Sequence, residues 1–253
     1  MKTNLVTSVT LPDNTYVTSE DTVYTVDKLY NKRPSYPFRF DGTGNQWIKV
    51  EFAVAQNITA MAIFNHNFPN TTTITLDASA IDGNWSLVST PVWREENLYS
   101  TFGATLEWWK LNINAGAVVT PQVGELFLGQ WAAFENAFVQ PGRKDGPEFF
   151  ASDNRTHMGQ DWIGYYSNAD TFTISIKNLT TPSAVDELQA FLKDIWENED
   201  GKFVFIPDHN QPHVYYVQVV NRKGYAEREI YGTRELREWR LELRSLTNGI
   251  TLL

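Results

Sequence analysis

The chain has 253 residues, of which 42% are hydrophobic and 14% aromatic, and this composition excludes an intrinsically disordered protein. The absence of cysteine excludes disulfide scaffolds, thiolate metal sites and cysteine nucleophiles. A formal net charge of -9 without a basic run disfavours direct nucleic-acid binding, and no stretch approaches the roughly 20 apolar residues that span a membrane. We therefore expect a folded protein with neither nucleic-acid binding nor membrane insertion.

Residues 1–130 are predicted to form a β-sandwich of the jelly-roll type. We predict strands at 47–52, 60–64, 72–78, 85–88, 108–113 and 124–128. In the first of these, Trp47 and Lys49 point to one face, whereas Ile48 and Val50 point to the other. Many short strands without intervening helices favour a sandwich, so the protein is predicted to be mainly β.

Residues 131–253 are predicted to form a β domain with one amphipathic helix. A loop-rich region at 140–170 precedes a strand at 172–176. Apolar residues then recur at helical spacing, which predicts a helix over 183–198 with Pro182 in its first turn and Gly201 at its end. We expect the apolar face of this helix to pack on the strands predicted at 202–206, 214–220 and 238–246.

His66 stands between Asn65 and Asn67, directly after the predicted strand 60–64. A catalytic histidine needs a nucleophile or a proton partner, and the flanking sequence carries no signature of one. Asn and His are also suited to tight turns, where their side chains bond to the backbone. We therefore favour a structural role for His66 over a catalytic one.

His209 and His213 lie four residues apart in the stretch DHNQPH. On a helix this spacing could bring both to one metal ion, but Pro212 and the flanking predicted strands indicate a hairpin loop. The neighbouring sequence offers no third ligand. We expect no metal site and no cofactor.

Acidic residues cluster at Glu95-Glu96 and again at Glu197, Glu199 and Asp200. A glycosidase needs two carboxyl groups on either side of a sugar, but these positions give no reason for two carboxyl groups to converge. The sequence also lacks a phosphate-binding glycine loop, a nucleophile elbow and a metalloprotease helix. We therefore predict no catalytic residues and no enzyme.

Arginine and glutamate are interleaved through the segment 222–244. A solvated strand face with weak ion pairs would give this pattern. A charge-matched subunit interface would give it as well, because Arg favours bidentate pairing with carboxylates. Both interpretations stay open.

The order of motifs in the first half resembles a known family. LYNKRPSYPFRF is followed by GNQWIKVEFAVAQNITAMAIFNHNF, ITLDASAIDGNW, EWWKLNI and GELFLGQW. This order, over about residues 23–131, is similar to the discoidin-like, galactose-binding-type jelly roll in tail proteins of long-tailed bacteriophages. The second half resembles the C-terminal, tail-tube-like part of distal tail and minor tail proteins.

The resemblance implies a structural virion protein at the tail tip. Such a protein would be made in the bacterial cytoplasm and would form a ring hub, by analogy a hexamer, that connects the tail tube to baseplate or receptor-binding components. Its implied partners are the tube, hub and tape-measure proteins. The residues that we expect at the subunit interface are Arg143, Phe149, Phe150, Trp162, Tyr165, Arg237, Arg240 and Arg244.

A second hypothesis is a carbohydrate-binding module that contacts a glycan of the host surface. Its candidate stacking residues are Trp85, Trp93 and Trp108, because aromatic rings can pack on sugars. The competing interpretation is that these tryptophans belong to the core, since Trp85 and Trp108 lie within predicted strands. Binding to host polysaccharide would separate this module from a purely structural hub.

Overall fold

Strands dominate the part of the chain that can be described. The computed structural model of the protein describes residues 3–9, 11–95, 97–134, 137–140, 148–155, 161–169, 171–176, 182–197, 200–206, 214–220 and 239–246. Within these ranges one α-helix and one short 3-10 helix accompany the strands. The predicted mainly β fold is therefore confirmed.

The elements follow one another in this order. The first strands are β1 (Thr3–Val9), β2 (Asn14–Val17), β3 (Phe38–Arg39), β4 (Asn45–Phe64), β5 (Thr73–Ser79), β6 (Ser86–Ser89), β7 (Asn97–Asn114), β8 (Gln122–Val123) and β9 (Glu125–Phe134). The 3-10 helix Val26–Tyr30 lies between β2 and β3. The later elements are β10 (Ala137–Gln140), β11 (Glu148–Arg155), β12 (Asp161–Ala169), β13 (Thr171–Ile176), α1 (Pro182–Glu197), β14 (Lys202–Ile206), β15 (Tyr215–Val219) and β16 (Trp239–Ser245).

One sheet connects the two halves of the chain. Its strand order is β10-β13-β16-β15-β14-β1-β9-β4-β7-β5-β6, and β2 pairs with β4 beside this path. Strand β1 makes the connection, because it is antiparallel both to β9 and to β14. The boundary predicted at residue 130 falls inside β9, and the division into two domains stays a prediction.

The main core lies on the inner face of β4, β5 and β7. Alternate residues of these strands are buried there, together with residues from the 3-10 helix, β3, β8 and β9. Its members include Leu29, Phe38, Phe40, Ile48, Val50, Ile58, Ile63, Ile74, Leu76, Trp109, Leu111 and Ile113. Burying each large apolar side chain contributes about 1.5–3 kcal/mol. The period of two therefore separates this core from an outer face on the same strands.

The two strands predicted at 47–52 and 60–64 are one long strand, β4. Its pairing with β7 shifts register between Glu51 and Gln56 and again between Ile58 and Ala60. Such bulges add residues to one strand and bend it without ending the sheet. Residues 53–57, which lie between the two predicted strands, therefore belong to β4 and do not separate two strands.

The helix predicted at 183–198 is present as α1. Phe191, Leu192 and Ile195 are buried with residues of β13, β14, β15 and β16 in a second hydrophobic cluster, as the spacing predicted. Gly201 has a φ of 75° and donates its N–H to the Ile195 carbonyl at 2.7 Å, which ends the helix. Of the helical residues described, none forms a segment both long and apolar enough to cross a membrane.

The prediction of a loop-rich region at 140–170 is wrong for all the residues of this range that the structure describes, because each of them lies in a strand. Strands β11 and β12 pair antiparallel over Glu148–Arg155 and Asp161–Ala169, with one register shift after Phe150. The backbone N–H and C=O groups of two paired strands bond to each other. This hairpin can therefore form without the strict apolar alternation that the sequence lacks. Four residues predicted for an interface loop, Phe149, Phe150, Trp162 and Tyr165, lie instead on these strands.

Candidate functional site

The outer face of β2, β4, β7 and β5 carries aromatic, cationic and amide side chains in register. Tyr16 on β2 lies opposite Lys49 on β4, Lys49 lies opposite Lys110 on β7, and Lys110 lies opposite Asp77 on β5. The next row is Trp47, Asn112 and Thr75, and the row on the other side is Glu51, Trp108 and Ser79. These residues, together with Asp82 and Trp85, are called the aromatic–lysine face below.

Lys49 is held at the centre of this face. Its ammonium lies 5.0 Å from the ring centroid of Tyr16, 5.8 Å from that of Trp47 and 5.2 Å from that of Trp108. Asp82 accepts from the same ammonium at 2.6 Å, and the side chain of Lys49 is only 18% exposed. Cation–π attraction and the ion pair together fix the three rings around this charge.

Lys110 is the second cation of the face. It lies 5.6 Å from the ring centroid of Trp47 and 5.7 Å from that of Trp85. Among the described residues, no carboxylate forms an ion pair with Lys110. Trp47 therefore contacts both cations, but only one of them has an anionic partner.

The turn between β5 and β6 brings Asp82 and Trp85 to the face. Gly83 has a φ of 102°, a conformation that glycine adopts without strain. The Ser79 hydroxyl lies 2.6 Å from the carbonyl oxygen of Ile81 and 2.8 Å from that of Asn84, so it ties both sides of the turn to β5. The last residue of β5 therefore holds this turn in place through its side chain.

Tyr16 and Trp108 form the edge of the face next to β2. Their rings stack with centroids 6.2 Å apart and an interplanar angle of 22°. The Tyr16 hydroxyl donates to Glu51 at 3.2 Å, and Asn14 donates to the same carboxylate oxygen at 3.0 Å. Desolvation, and then the hydrogen bond to Glu51, raise the pKa of Tyr16 above its ordinary value.

A shallow groove of about 440 Å³ opens beside Trp47 and Lys110. Its other walls are amide and hydroxyl side chains, among them Asn45, Thr75, Asn112 and Asn114. Asn112 donates its amide N–H groups to Thr75 at 3.1 Å and to Asp77 at 2.7 Å. Its carbonyl oxygen is therefore the atom of this side chain that remains for a ligand, next to a cation and an aromatic ring.

The structure separates the three tryptophans predicted for sugar stacking. Trp85 and Trp108 lie on the aromatic–lysine face, but Trp93 does not. Trp93 packs against the main core and donates its indole N–H to the Phe68 carbonyl at 2.9 Å. Sequence reasoning missed Tyr16 and Trp47 as partners, although the alternation of WIKVEF already placed Trp47 outward beside Lys49.

His66 occupies a buried turn after β4. Its Nδ1 accepts from the Phe68 N–H at 3.2 Å, and its ring stacks on the Phe68 ring with centroids 4.4 Å apart. Burial lowers the pKa of His66 to about 4, so the imidazole is neutral near pH 7. The preceding Asn65 has a φ of 51° and donates its side-chain amide to the Pro34 carbonyl at 2.7 Å. These contacts agree with the structural role that the sequence favoured.

Glu125 also has a strongly shifted pKa, and it lies where β9 meets β4. Its side chain is buried, its Oε1 accepts from the Lys32 N–H at 3.2 Å, and Lys202 on β14 donates to the Lys32 carbonyl at 3.4 Å. Burial raises the pKa of Glu125 to about 8, against weaker lowering by these backbone and lysine groups. Its carboxyl group is therefore largely protonated at pH 7.

The remaining predicted positions are scattered or lie outside the described residues. Glu95 is exposed, and Glu197 pairs with Lys193 at 3.9 Å along the exposed side of α1. Arg240 and Arg244 lie on β16. The predictions for Glu96, Arg143, Glu199, His209, His213 and Arg237 fall outside the described residues. The part of the chain that the structure describes contains no cluster of three or more His, Asp or Glu side chains able to hold a metal ion.

Comparisons with known proteins give likeness of fold only. No family model and no curated protein matches the chain. Solved structures to which it is similar include chitosan-binding module 1 of a chitosanase/glucanase from Paenibacillus sp. IK-5, at 16% identity and a TM-score of 0.42, covering 47% of this chain and 96% of that one. Another is CpGH89CBM32-5 from Clostridium perfringens in complex with GalNAc-β-1,3-galactose, at 15% identity and a TM-score of 0.41, covering 46% and 94%.

Proposed function

We propose that the protein binds carbohydrate on the aromatic–lysine face. The observation that carries this proposal is the groove in which Trp47 and Lys110 stand beside the amide and hydroxyl groups of Asn112 and Thr75. An aromatic ring packs on the apolar C–H face of a sugar, while amide, hydroxyl and ammonium groups bond to its hydroxyls. Small-ligand sites combine these features, a concave surface with a few placed polar groups.

If the same rings had a purely structural role, fewer of these residues would be needed. Rings that only shield Lys49 would need Tyr16, Trp47 and Trp108, which surround it. They would not need Trp85, which comes from the β5–β6 turn to the far side of Lys110, or a polar groove next to it. The arrangement around Lys110 therefore favours ligand binding over simple shielding.

Titration of soluble glycans tests the proposal. A glycan array first selects further candidates. The wild-type protein, Trp47→Ala and Trp85→Ala are then titrated with these and with galactomannan, mixed-linkage β-glucan and polygalacturonate. We expect saturable binding that each substitution weakens about tenfold or more, as truncated aromatic anchors do. Trp131→Ala is the matched control, because Trp131 is 37% exposed on β9 and is not one of the residues of the aromatic–lysine face. Absence of saturable binding, or an equal loss in the control, would contradict the proposal.

The role as a ring hub at a phage tail tip, and the virion location that goes with it, stay predictions from the sequence resemblance. The hexamer and its interface residues stay predictions too. Light scattering of the purified protein measures the mass directly. A ring of about six subunits would support the hub, and it would leave the glycan proposal to its own test.

A further inference from the structure

We propose that the glycan is acidic, and that a carboxylate group of the sugar pairs with the ammonium of Lys110. This inference rests on the proposed glycan binding and names the class of ligand. The observation behind it is that Lys49 and Lys110, which the sheet places directly opposite each other, differ in their ion pairs.

Two like charges at opposite positions of an antiparallel pair repel each other. An ion pair between the Lys49 ammonium and the Asp82 carboxylate, at 2.6 Å, offsets this repulsion at Lys49. Lys110 has no such partner among the described residues, and only the rings of Trp47 and Trp85 lie against its charge. The face therefore contains two adjacent cations and neutralises one of them by an ion pair.

Asp77 is the residue that could have neutralised Lys110, since it lies opposite on β5. Its carboxylate instead accepts the amide of Asn112 at 2.7 Å, and no ion pair joins it to Lys110. Asn112 also donates to Thr75. This bonding turns the Asp77 carboxylate to Asn112 and leaves the Lys110 ammonium as the charged group that lines the groove.

The position of Lys110 suits an anion that belongs to a sugar. Trp47 lies on the same groove, so a sugar ring stacked there would hold its substituent beside the ammonium. The two indole rings lie beside the half-buried Lys110, and apolar surroundings strengthen a charge-assisted hydrogen bond to an incoming oxyanion. The net charge of -9 on the whole chain repels polyanions at long range, so the selectivity has to come from this short-range contact.

Matched acidic and neutral polymers test the inference. Polygalacturonate, alginate and hyaluronan are each titrated beside their carboxyl-reduced forms, which keep the hydroxyl groups and lose the charge. We expect wild-type protein to bind at least one acidic form about fivefold or more tightly than its reduced partner, the effect of one partly exposed ion pair. Lys110→Gln should bring the affinities for the acidic and the reduced form to about the same value, Lys110→Arg should keep the preference, and the exposed helix variant Lys193→Gln should behave as wild type.

Each other outcome overturns the inference in a recognisable way. Equal binding of acidic and reduced forms, with both lost in Trp47→Ala, would leave glycan binding standing and remove the acidic class. An equal loss of both forms in Lys110→Gln, with an unchanged melting temperature, would make Lys110 a support for the rings rather than a partner of an anion. Absence of binding by any acidic polymer, together with absence across the array, would remove the proposed function as well.

Discussion

Trp108 and Trp109 are neighbours in β7, and they lie in opposite environments. Trp109 is completely buried in the main core and donates its indole N–H to the Leu106 carbonyl at 3.2 Å. Trp108 is half-buried on the aromatic–lysine face, where it stacks on Tyr16 and lies against Lys49. One step along a strand therefore moves a tryptophan from a stabilising role to a position available to a ligand.

The same contrast holds along β4 and β5. Ile48, Val50 and Leu76 are buried, whereas the intervening Trp47, Lys49 and Thr75 form the outer face. Substitutions on the inner side are expected to change the free energy of unfolding. Substitutions on the outer side are expected to change binding and to leave stability nearly as it is. The predictions below test this separation, from the largest expected effect to the smallest.

Trp109→Ala should show the largest loss of stability. Removing a fully buried indole leaves a cavity in the main core, which costs about 3–5 kcal/mol. Urea unfolding followed by circular dichroism measures the loss, with Trp131→Ala as the exposed control. A loss below about 1 kcal/mol in Trp109→Ala would mean that the inner side is not the core of this protein.

Glu125→Gln should change how stability depends on pH. The folded pKa of about 8 lies above the ordinary value of 4.5, so the folded state binds more protons than the unfolded state between these values, and stability falls as pH rises through this window. His66 acts in the opposite direction between pH 4 and 6.5, because its folded pKa is lowered.

Unfolding at pH 6.5 and pH 8 reports mainly on the carboxyl group, since the His66 window ends at the lower of these values and its remaining contribution is the same in both proteins. We expect wild-type protein to lose roughly 1–3 kcal/mol across this step and Glu125→Gln to stay nearly level. A parallel decline in both proteins would show that Glu125 does not titrate as its burial requires.

Trp108→Ala tests the outer side. Its stacking on Tyr16 and its contact with Lys49 are partly solvated, so we expect a loss of at most about 1 kcal/mol of stability. Glycan affinity should fall by a larger factor than the stability of this variant suggests. A loss of stability as large as that of Trp109→Ala would erase the distinction between the two sides.

Asp82→Asn should have the smallest effect on stability. The ion pair with Lys49 is partly exposed and contributes about 0.5 kcal/mol. The substitution leaves both lysines without an ion pair, so affinity for an acidic glycan should rise while thermal stability hardly changes. A fall in that affinity would indicate that Asp82 itself contacts the ligand.

Much of the fold could be predicted from local pattern, because burial on one face imposes a period of two. That period predicted β5 and the two sides of the first part of β4. It could not show that β1 inserts between β9 and β14, since this pairing joins residues about 200 positions apart in the sequence. The hairpin of β11 and β12 was missed for a related reason, because its stability depends on pairing and not on alternation.

The candidate site was predicted only in part. Alternation put Trp47 and Lys49 on the outer side, but the sequence contains no sign that Lys110 lies opposite Lys49 or that Tyr16 lies beside it. Register between strands decides those contacts, and register is set by the long-range packing of the core. The sequence likewise gives no sign of the hydrogen bond from the Trp93 indole N–H to the Phe68 carbonyl. Without it, nothing distinguished Trp93 from the tryptophans of the outer side.

The most direct test of glycan binding on the outer side is a nuclear magnetic resonance titration that follows the indole N–H signals of the nine tryptophans. Tetragalacturonate and cellotetraose are added in turn to labelled protein. The account predicts saturable shifts for Trp47, Trp85 and Trp108, with Trp93, Trp109 and Trp131 unchanged. Shifts confined to the second group, or no shift with either sugar, would contradict it.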